Sequence, residues 1–325
     1  MLSDAPLGQL PGHVSSLARF LARRETRERD DRSTLADLAR ARIPLPPELE
    51  LEWLGTAGYR LTFEGHTLLI DPYLSRVPLT AVLNRRAPAH ADPAAHAPLL
   101  SRSLGKTVGI LLGHTHFDHA IDVPALSKTL DAPAYGSDSL VRLMGLYGLA
   151  DRAVEVSPHR TYELGPFRVR FIPSLHSKLL LGFKVPMDGA LSCEHLDELS
   201  PSAYKCGAVY GIHIQVGGTS FYHQGSANLI DDQLQDTKAD IFLAGIAGRG
   251  FTYDYWQRIL RRLEPAVVVA SHFDDFFRPL GAPLGFTTNV NLAAFPEELS
   301  AVSESIVPAA LEPGVVPRAQ SPGNA

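Results

Sequence analysis

Two kinds of hydrophobic periodicity run along this chain, and the switches between them divide it into elements. Val14, Leu17, Phe20 and Leu21 recur at helical spacing with Arg23, Arg24, Glu25 and Arg27 between them, which predicts one or two helices over residues 13–43. The pattern continues through residues 31–42, and Ile43-Pro44-Leu45-Pro46-Pro47 stops it, because proline has no amide proton to give a helix. Short, partly alternating runs at 49–54, 59–63 and 67–71, separated by glycine-containing turns, then predict strands. A buried strand follows at 108–112, after a Pro/Ala/His-rich excursion over 76–101 that contains Arg85 and Arg86. Helical spacing returns at 123–130 and 137–149, strand patterns at 161–164, 168–172, 209–216, 220–222, 241–244 and 267–270, and one more helix at 253–263. Two strand-rich halves, each flanked by helices, predict a layered α/β (α+β) fold. Residues 1–48 read as a helical appendage, 49–312 as one domain and 313–325 as a disordered tail rich in Pro, Gly, Ser, Gln and Asn. The appendage has three roles open to it: docking on the domain, mediating a dimer, or covering a site. Docking is the simplest of these.

Composition changes this picture by exclusion. With 45% hydrophobic and 20% charged residues in 325, there is apolar surface for a large core. A net charge of −5 speaks against an electrostatic grip on nucleic acid, which asks for a basic footprint. No apolar run approaches the ~18 residues that a membrane span needs. Met1-Leu2-Ser3-Asp4-Ala5-Pro6 lacks the basic and apolar regions of a secretion signal, so a cytoplasmic location is expected. Cys193 and Cys206 are too few for a disulfide scaffold. They read as two buried thiols, with a reversible disulfide or, together with Glu194 and His195, an extra metal site as alternatives.

The candidate chemistry is concentrated in Gly113-His114-Thr115-His116-Phe117-Asp118-His119, directly after the predicted strand at 108–112. Three histidines and a carboxylate in six positions are a ligand set for zinc or a similar first-row ion. One short turn cannot easily aim all four at a single centre, so two adjacent metals sharing a bridging hydroxide fit better.

The motif His114-x-His116-x-Asp118-His119 after a buried strand resembles that of the metallo-β-lactamase superfamily, whose members are four-layer αββα sandwiches that hydrolyse their substrates with bound metal. Further likenesses lie downstream: His176 in Pro173-Ser174-Leu175-His176, His272 in Ala270-Ser271-His272-Phe273, and Phe221-Tyr222-His223-Gln224-Gly225-Ser226, where many members carry a metal-bridging aspartate and this chain has Ser226. Trp53-Leu54-Gly55-Thr56-Ala57-Gly58 and Thr67-Leu68-Leu69-Ile70-Asp71-Pro72 resemble the opening hairpin of the branch that contains ascorbate-phosphate lactonase and N-acyl-phosphatidylethanolamine phospholipase D. The likeness covers about residues 50–285.

The resemblance implies one metal on His114, His116 and His176 and a second on Asp118, His119 and His272, with Asp118 also orienting the nucleophile as the catalytic carboxylate. Zinc, one or two ions per chain, is the implied cofactor, although another divalent metal is compatible. Zinc lowers the pKa of a bound water toward 7, so a metal-bound hydroxide would attack a phosphodiester or a lactone, or an amide. Loss of the bridging aspartate at Ser226 weakens the case for two metals without removing it. His223 is a substitute ligand, an acid, or a side chain packed between sheets, and Asp71 is the candidate partner for a ligating histidine's second nitrogen. Lys178 and Arg249 are candidate contacts for a small-molecule substrate that is anionic or acylated. The run from Lys178 to Cys206 is long for a structureless connection, and with Leu180 and Phe183 it reads as a substrate-selecting lid. β-Lactam hydrolysis is the alternative activity, and a non-catalytic metal-binding member of the fold is the alternative of another class. The sequence leaves oligomeric state open, and an oligomer is compatible.

Overall fold

A computed structural model of the chain describes residues 24–84, 87–178, 184–287 and 290–316. Thirteen strands among them form two sheets. The first sheet runs in chain order: β1 (Glu50–Gly55), β2 (Gly58–Phe63), β3 (His66–Ile70), β4 (Lys106–Leu111), β5 (Ala134–Gly136) and β6 (Ala153–Glu155). The second has the order β13-β12-β11-β10-β9-β8-β7, from β7 (Thr161–Leu164), β8 (Phe167–Ser174), β9 (Val209–Val216), β10 (Thr219–Gln224), β11 (Ile241–Gly245), β12 (Val267–Ser271) and β13 (Val307–Ala310).

Strand periodicity explains why the sheets stack as inner layers. In β3, Leu68 and Ile70 join the core between the sheets, whereas Leu69 joins a second core under the helices. In β4, Leu111 and Ile110 divide in the same way. Sheets buried on both faces need a cover of helices. Helices α3 (Val123–Leu130) and α4 (Asp138–Leu146) cover the first sheet through Leu126, Leu140 and Leu143. Helices α5 (Tyr255–Leu263) and α6 (Phe295–Ser300) cover the second through Ile259, Leu263, Phe295 and Leu299. The predicted αββα order of layers is therefore present.

The appendage docks. Its described part, α1 (Arg24–Leu38), buries Leu35 and Leu38 in the core cluster that α5 and α6 also join, and its Asp31 accepts a hydrogen bond from Ala293 N at 2.8 Å. Val14, Leu17, Phe20 and Leu21 lie outside the described residues. The helix ends at Leu38 rather than continuing to Arg42, as Ala39, Arg40 and Ala41 turn back onto Leu35, Asp37 and Leu38. The tail's first residues are also placed: Gly314 N donates to Trp53 O of β1 at 2.9 Å, and Arg102 donates to Gly314 O at 3.0 Å.

Strand direction positions the site. β3 and β4 are parallel, as are β10, β11 and β12. β8 and β10 both run antiparallel to β9, so they run with each other. The C-terminal ends of β4, β8 and β12 therefore share one edge of the sandwich, and each releases its chain into a segment carrying candidate ligands.

Candidate metal centre

β4 delivers Gly113 to His119 at that edge, and α2 (Phe117–Ala120) starts inside the motif, presenting Asp118 and His119 from its first turns. His176 follows β8 and His272 follows β12. The six predicted ligands form two groups. Potential donor atoms of His114, His116 and His176 all lie within 4.8 Å of one another, and so do those of Asp118, His119 and His272. The groups adjoin, with the His114 and His119 rings 3.9 Å apart between centroids.

Hydrogen bonding decides which imidazole nitrogen is free in each group. A backbone carbonyl only accepts, so His116 Nε2, 2.8 Å from Pro186 O, and His176 Nδ1, 2.7 Å from Ser177 O, must carry the hydrogens. Neutral rings so held offer lone pairs on His116 Nδ1 and His176 Nε2. His119 Nδ1 donates to Asp71 Oδ2 at 2.9 Å, which leaves His119 Nε2 facing Asp118 and His272. His116 Nδ1 stands 3.1 Å from His114 Nε2. This inward set of lone pairs, with N–H groups anchored outward on carbonyls and a carboxylate, fits a metal centre.

Asp71 ties the two halves of the site together. Its left-handed backbone (φ 41°) turns the carboxylate under the motif, where Oδ1 accepts from Gly113 N at 2.7 Å while Oδ2 holds His119. Glycine is required around it. A Cβ at Gly113 would lie 3.1 Å from Asp71 Oδ2, and one at Gly225 would come to 2.8 Å from both Asp71 Oδ2 and His119 Cε1. His272 also has a left-handed backbone (φ 58°), and its N–H is fixed by Thr56 O at 2.7 Å. Such conformations cost about 1–3 kcal/mol in a residue other than glycine, so the surrounding structure holds this ring in place against strain.

Burial governs the charge states. It holds His114 well below the usual imidazole range, helped by the neighbouring histidines. It also pushes His116 down to about 4 and His176 to about 3, all three being thereby kept neutral. Burial acts the same way on His119, but the Asp71 and Asp118 carboxylates outweigh it and raise its pKa. Burial opposes ionisation of Asp118, but His119 and His272 override it and keep the carboxylate ionised.

These shifts set a pH dependence for chelator-stripped protein. Below about pH 6.5 the unfolded chain takes up protons that His114, His116 and His176 refuse when folded, so stability should fall as pH drops toward 4. His119 works in the opposite sense, being one raised site against three lowered ones. Melting of the stripped protein at pH 7.5, 6 and 5 should show a steady decrease, worth on the order of a few kcal/mol. A rise in Tm toward pH 5 would contradict these charge states.

The other predicted residues divide. Ser226 is buried, and its Oγ accepts from Ser177 N at 2.9 Å and lies 3.2 Å from Ser177 Oγ, so it fastens the His176 segment. His223 is outside both groups. Its Nε2 donates to Ala57 O at 2.9 Å and it packs between the sheets, 3.8 Å from Asp71. Lys178 is exposed. Arg249 is a correction: it is buried, clasps Glu298 at 2.6 and 3.0 Å and donates to Asn291 O at 2.8 Å, to Ile246 O at 3.3 Å and to Val290 O. Its fork ties the segment before α5 to α6 and has no donors left for a substrate. Cys193 and Cys206 are separate buried thiols.

Sequence reasoning missed the partners that hold the motif from above. Besides the Pro186 carbonyl, Thr115 Oγ1 donates to Lys205 O at 2.6 Å and Thr115 N to Cys206 O at 2.9 Å. Both ends of the stretch 184–206 therefore grip the ligand turn. Leu180 and Phe183, the apolar residues of the expected lid, lie outside the described residues.

Known proteins resemble this chain in sequence or in fold. The profile of the Beta-lactamase superfamily domain matches residues 50–272. A "UPF0173 metal-dependent hydrolase" from Cupriavidus taiwanensis is 28% identical over 272 residues, covering 79% of this chain and 81% of its own. Another protein of that name, from Ruegeria sp., is 29% identical over 212 residues, covering 63% and 76%. Among solved structures, the metallo-β-lactamase fold protein YhfI from Bacillus subtilis aligns with a TM-score of 0.51 at 16% identity, covering 82% of this chain and 98% of its own. CmlA, a diiron β-hydroxylase from Streptomyces venezuelae, aligns at 0.52 and 16%, covering 83% and 54%. At such identities the two structures speak for the fold alone. A profile spanning most of the chain, on two stacked sheets with the His/Asp motif at their shared edge, places this protein in the β-lactamase superfamily as a metal-dependent hydrolase of the metallo-β-lactamase fold.

Proposed function

We propose that the chain is a zinc hydrolase that binds two ions, one on His114, His116 and His176 and one on Asp118, His119 and His272, and that it cleaves a phosphodiester or a lactone in a small molecule. The observation that carries this reading is the pair of adjoining donor groups, each with its donor atoms within 4.8 Å. Bound zinc supplies Lewis acidity and makes a coordinated water acidic near neutral pH. The protein contributes the rest. Histidines kept neutral by burial present lone pairs without proton release, and the Pro186, Ser177 and Asp71 acceptors fix their rings. Asp118, held ionised, accepts a hydrogen bond from the attacking water and aims it. Lys178, exposed beside His176, meets an anionic group of the substrate. The opening hairpin's resemblance favours phosphodiester or lactone over amide.

The test is elemental analysis of purified protein followed by a panel of an aryl phosphodiester, an aliphatic lactone and a β-lactam. Up to two zinc ions per chain with turnover of one of the first two is expected. Absence of tightly held transition metal after zinc reconstitution would sink the reading, and preferential turnover of the β-lactam would replace it.

Ser226→Asp is a sharper probe of the second ion. One carboxylate oxygen can keep the bond from Ser177 N, and the other adds a negative donor on the segment that fastens His176. Titration against a competing chelator should show tighter binding of the second ion. Unchanged or weaker binding would mean that the Ser226 side chain has no access to the metals.

A further inference from the structure

One large cleft lies outside the two donor groups. Its volume is about 670 Å³, and Val77, Pro78, Ala81, Ala95, Phe277 and Leu280 give it largely apolar walls. Size and lining suit a small-molecule pocket, which typically joins apolar walls to a few placed polar groups.

Arg76 is such a group. It forms part of the wall and is 4% exposed; its Nη2 forms an ion pair with Asp274 Oδ2 at 2.8 Å, while Nε and Nη1 have no hydrogen-bond partner among the described residues. A guanidinium carries five N–H donors, and burying them without acceptors is costly. Asp274 pairs with Nη2 and also accepts from Thr56 N at 3.0 and 3.1 Å, which leaves Nε and Nη1 without an acceptor. The position is nevertheless built for this side chain: the guanidinium rests over the Tyr73 ring at 5.2 Å, and a Cβ at Gly55 would meet Nη2 at 1.8 Å.

Two further observations bear on the ligand. Leu79 and Leu83 are 49% and 72% exposed and stand one turn apart on the short helix that carries the wall residue Ala81. On the inner side, the Phe277 ring is 4.3 Å from Phe276, whose ring is 5.4 Å from that of His272. An apolar channel and a buried guanidinium with unpaired N–H donors thus lie in one cleft that reaches to within one aromatic layer of the second donor group.

We propose that this cleft binds the hydrocarbon chain of a single-chain amphiphile whose anionic group, a carboxylate or a phosphate, takes hydrogen bonds from Arg76. The inference rests on the proposed hydrolase for the statement that such a molecule is a substrate, and it names that substrate's class.

The experiment is calorimetric titration of zinc-loaded, full-length protein with decanoate, decyl phosphate, decanol, acetate and inorganic phosphate. At least one of the two anionic amphiphiles should bind about tenfold or more tightly than decanol and than acetate or inorganic phosphate, and the comparison of decanoate with decyl phosphate identifies the headgroup. Ala81→Phe, which fills the cleft from its wall, should weaken that binding at least about tenfold with Tm and zinc content unchanged. Arg76→Lys should retain the preference for the anion and Arg76→Met should abolish it. The proposal is overturned if neither anionic amphiphile binds saturably, if decanol binds equally well, or if Ala81→Phe changes nothing. Those results are separable from failure of the hydrolase: turnover of small panel substrates without amphiphile binding removes only the cleft, whereas amphiphile binding to a protein that hydrolyses nothing removes only the hydrolase.

Discussion

His116→Ala should lower kcat/KM by more than about a hundred-fold on whichever panel substrate the protein turns over. Altering a group that merely supports a metal ligand already costs about 10–100-fold in affinity or activity, and His116 is the ligand itself. Its Nδ1 faces His114 Nε2 at 3.1 Å, so the first donor group would be left with His114 and His176. The fold should survive. The inter-sheet core of Trp53, Phe171, Ile214 and Phe221 does not include this side chain, and the loss is one hydrogen bond to Pro186 O, worth about 1–3 kcal/mol where a buried partner is left unsatisfied. Zinc content and kcat measured on the same preparation check it. Wild-type kcat in a folded His116→Ala variant would mean that the reaction occurs elsewhere.

Asp71→Asn should act on the second donor group and spare the first. The carboxylate accepts from two donors, Gly113 N and His119 Nδ1. An amide has only one acceptor oxygen, so one donor would face an NH2 group. The substitution also removes a charge that raises the pKa of His119 and so strengthens its Nε2 as a lone-pair donor to a metal. The expected result is a loss of about 10–100-fold in affinity for the second ion. Folding stability should fall by about 1–3 kcal/mol from the orphaned buried donor. Chelator competition on wild type and variant, read together with Tm, resolves the two sites. A second-ion affinity unchanged from wild type would remove Asp71 from the centre.

What could be read in advance followed how local each signal was. The motif from His114 to His119 is contiguous, and the strand before it is an unbroken apolar run, so both were legible from the residues alone. His176 and His272 are isolated in sequence and became candidates only by resemblance. β5, β6 and β13, with three, three and four residues, are too short to establish a period. The Pro186 carbonyl carries no sequence signal at all, because any residue offers the same acceptor. Arg249 misled for a related reason. A cation between two glycines looks available, but its partner Glu298 lies 49 positions away, and only the packing of α6 brings them together.

The grip of residues 184–206 on the ligand turn ties two equilibria to each other. Pro186 O fixes the tautomer of His116, and Lys205 O and Cys206 O fix Thr115 between His114 and His116. If closure of that stretch favours metal binding, thermodynamic reciprocity requires metal binding to favour closure by the same factor. The ions would then set the opening frequency of the peptide above them. Amide hydrogen exchange at the non-proline residues of 187–206 should slow on zinc loading in proportion to the affinity that is lost when the stretch is held open.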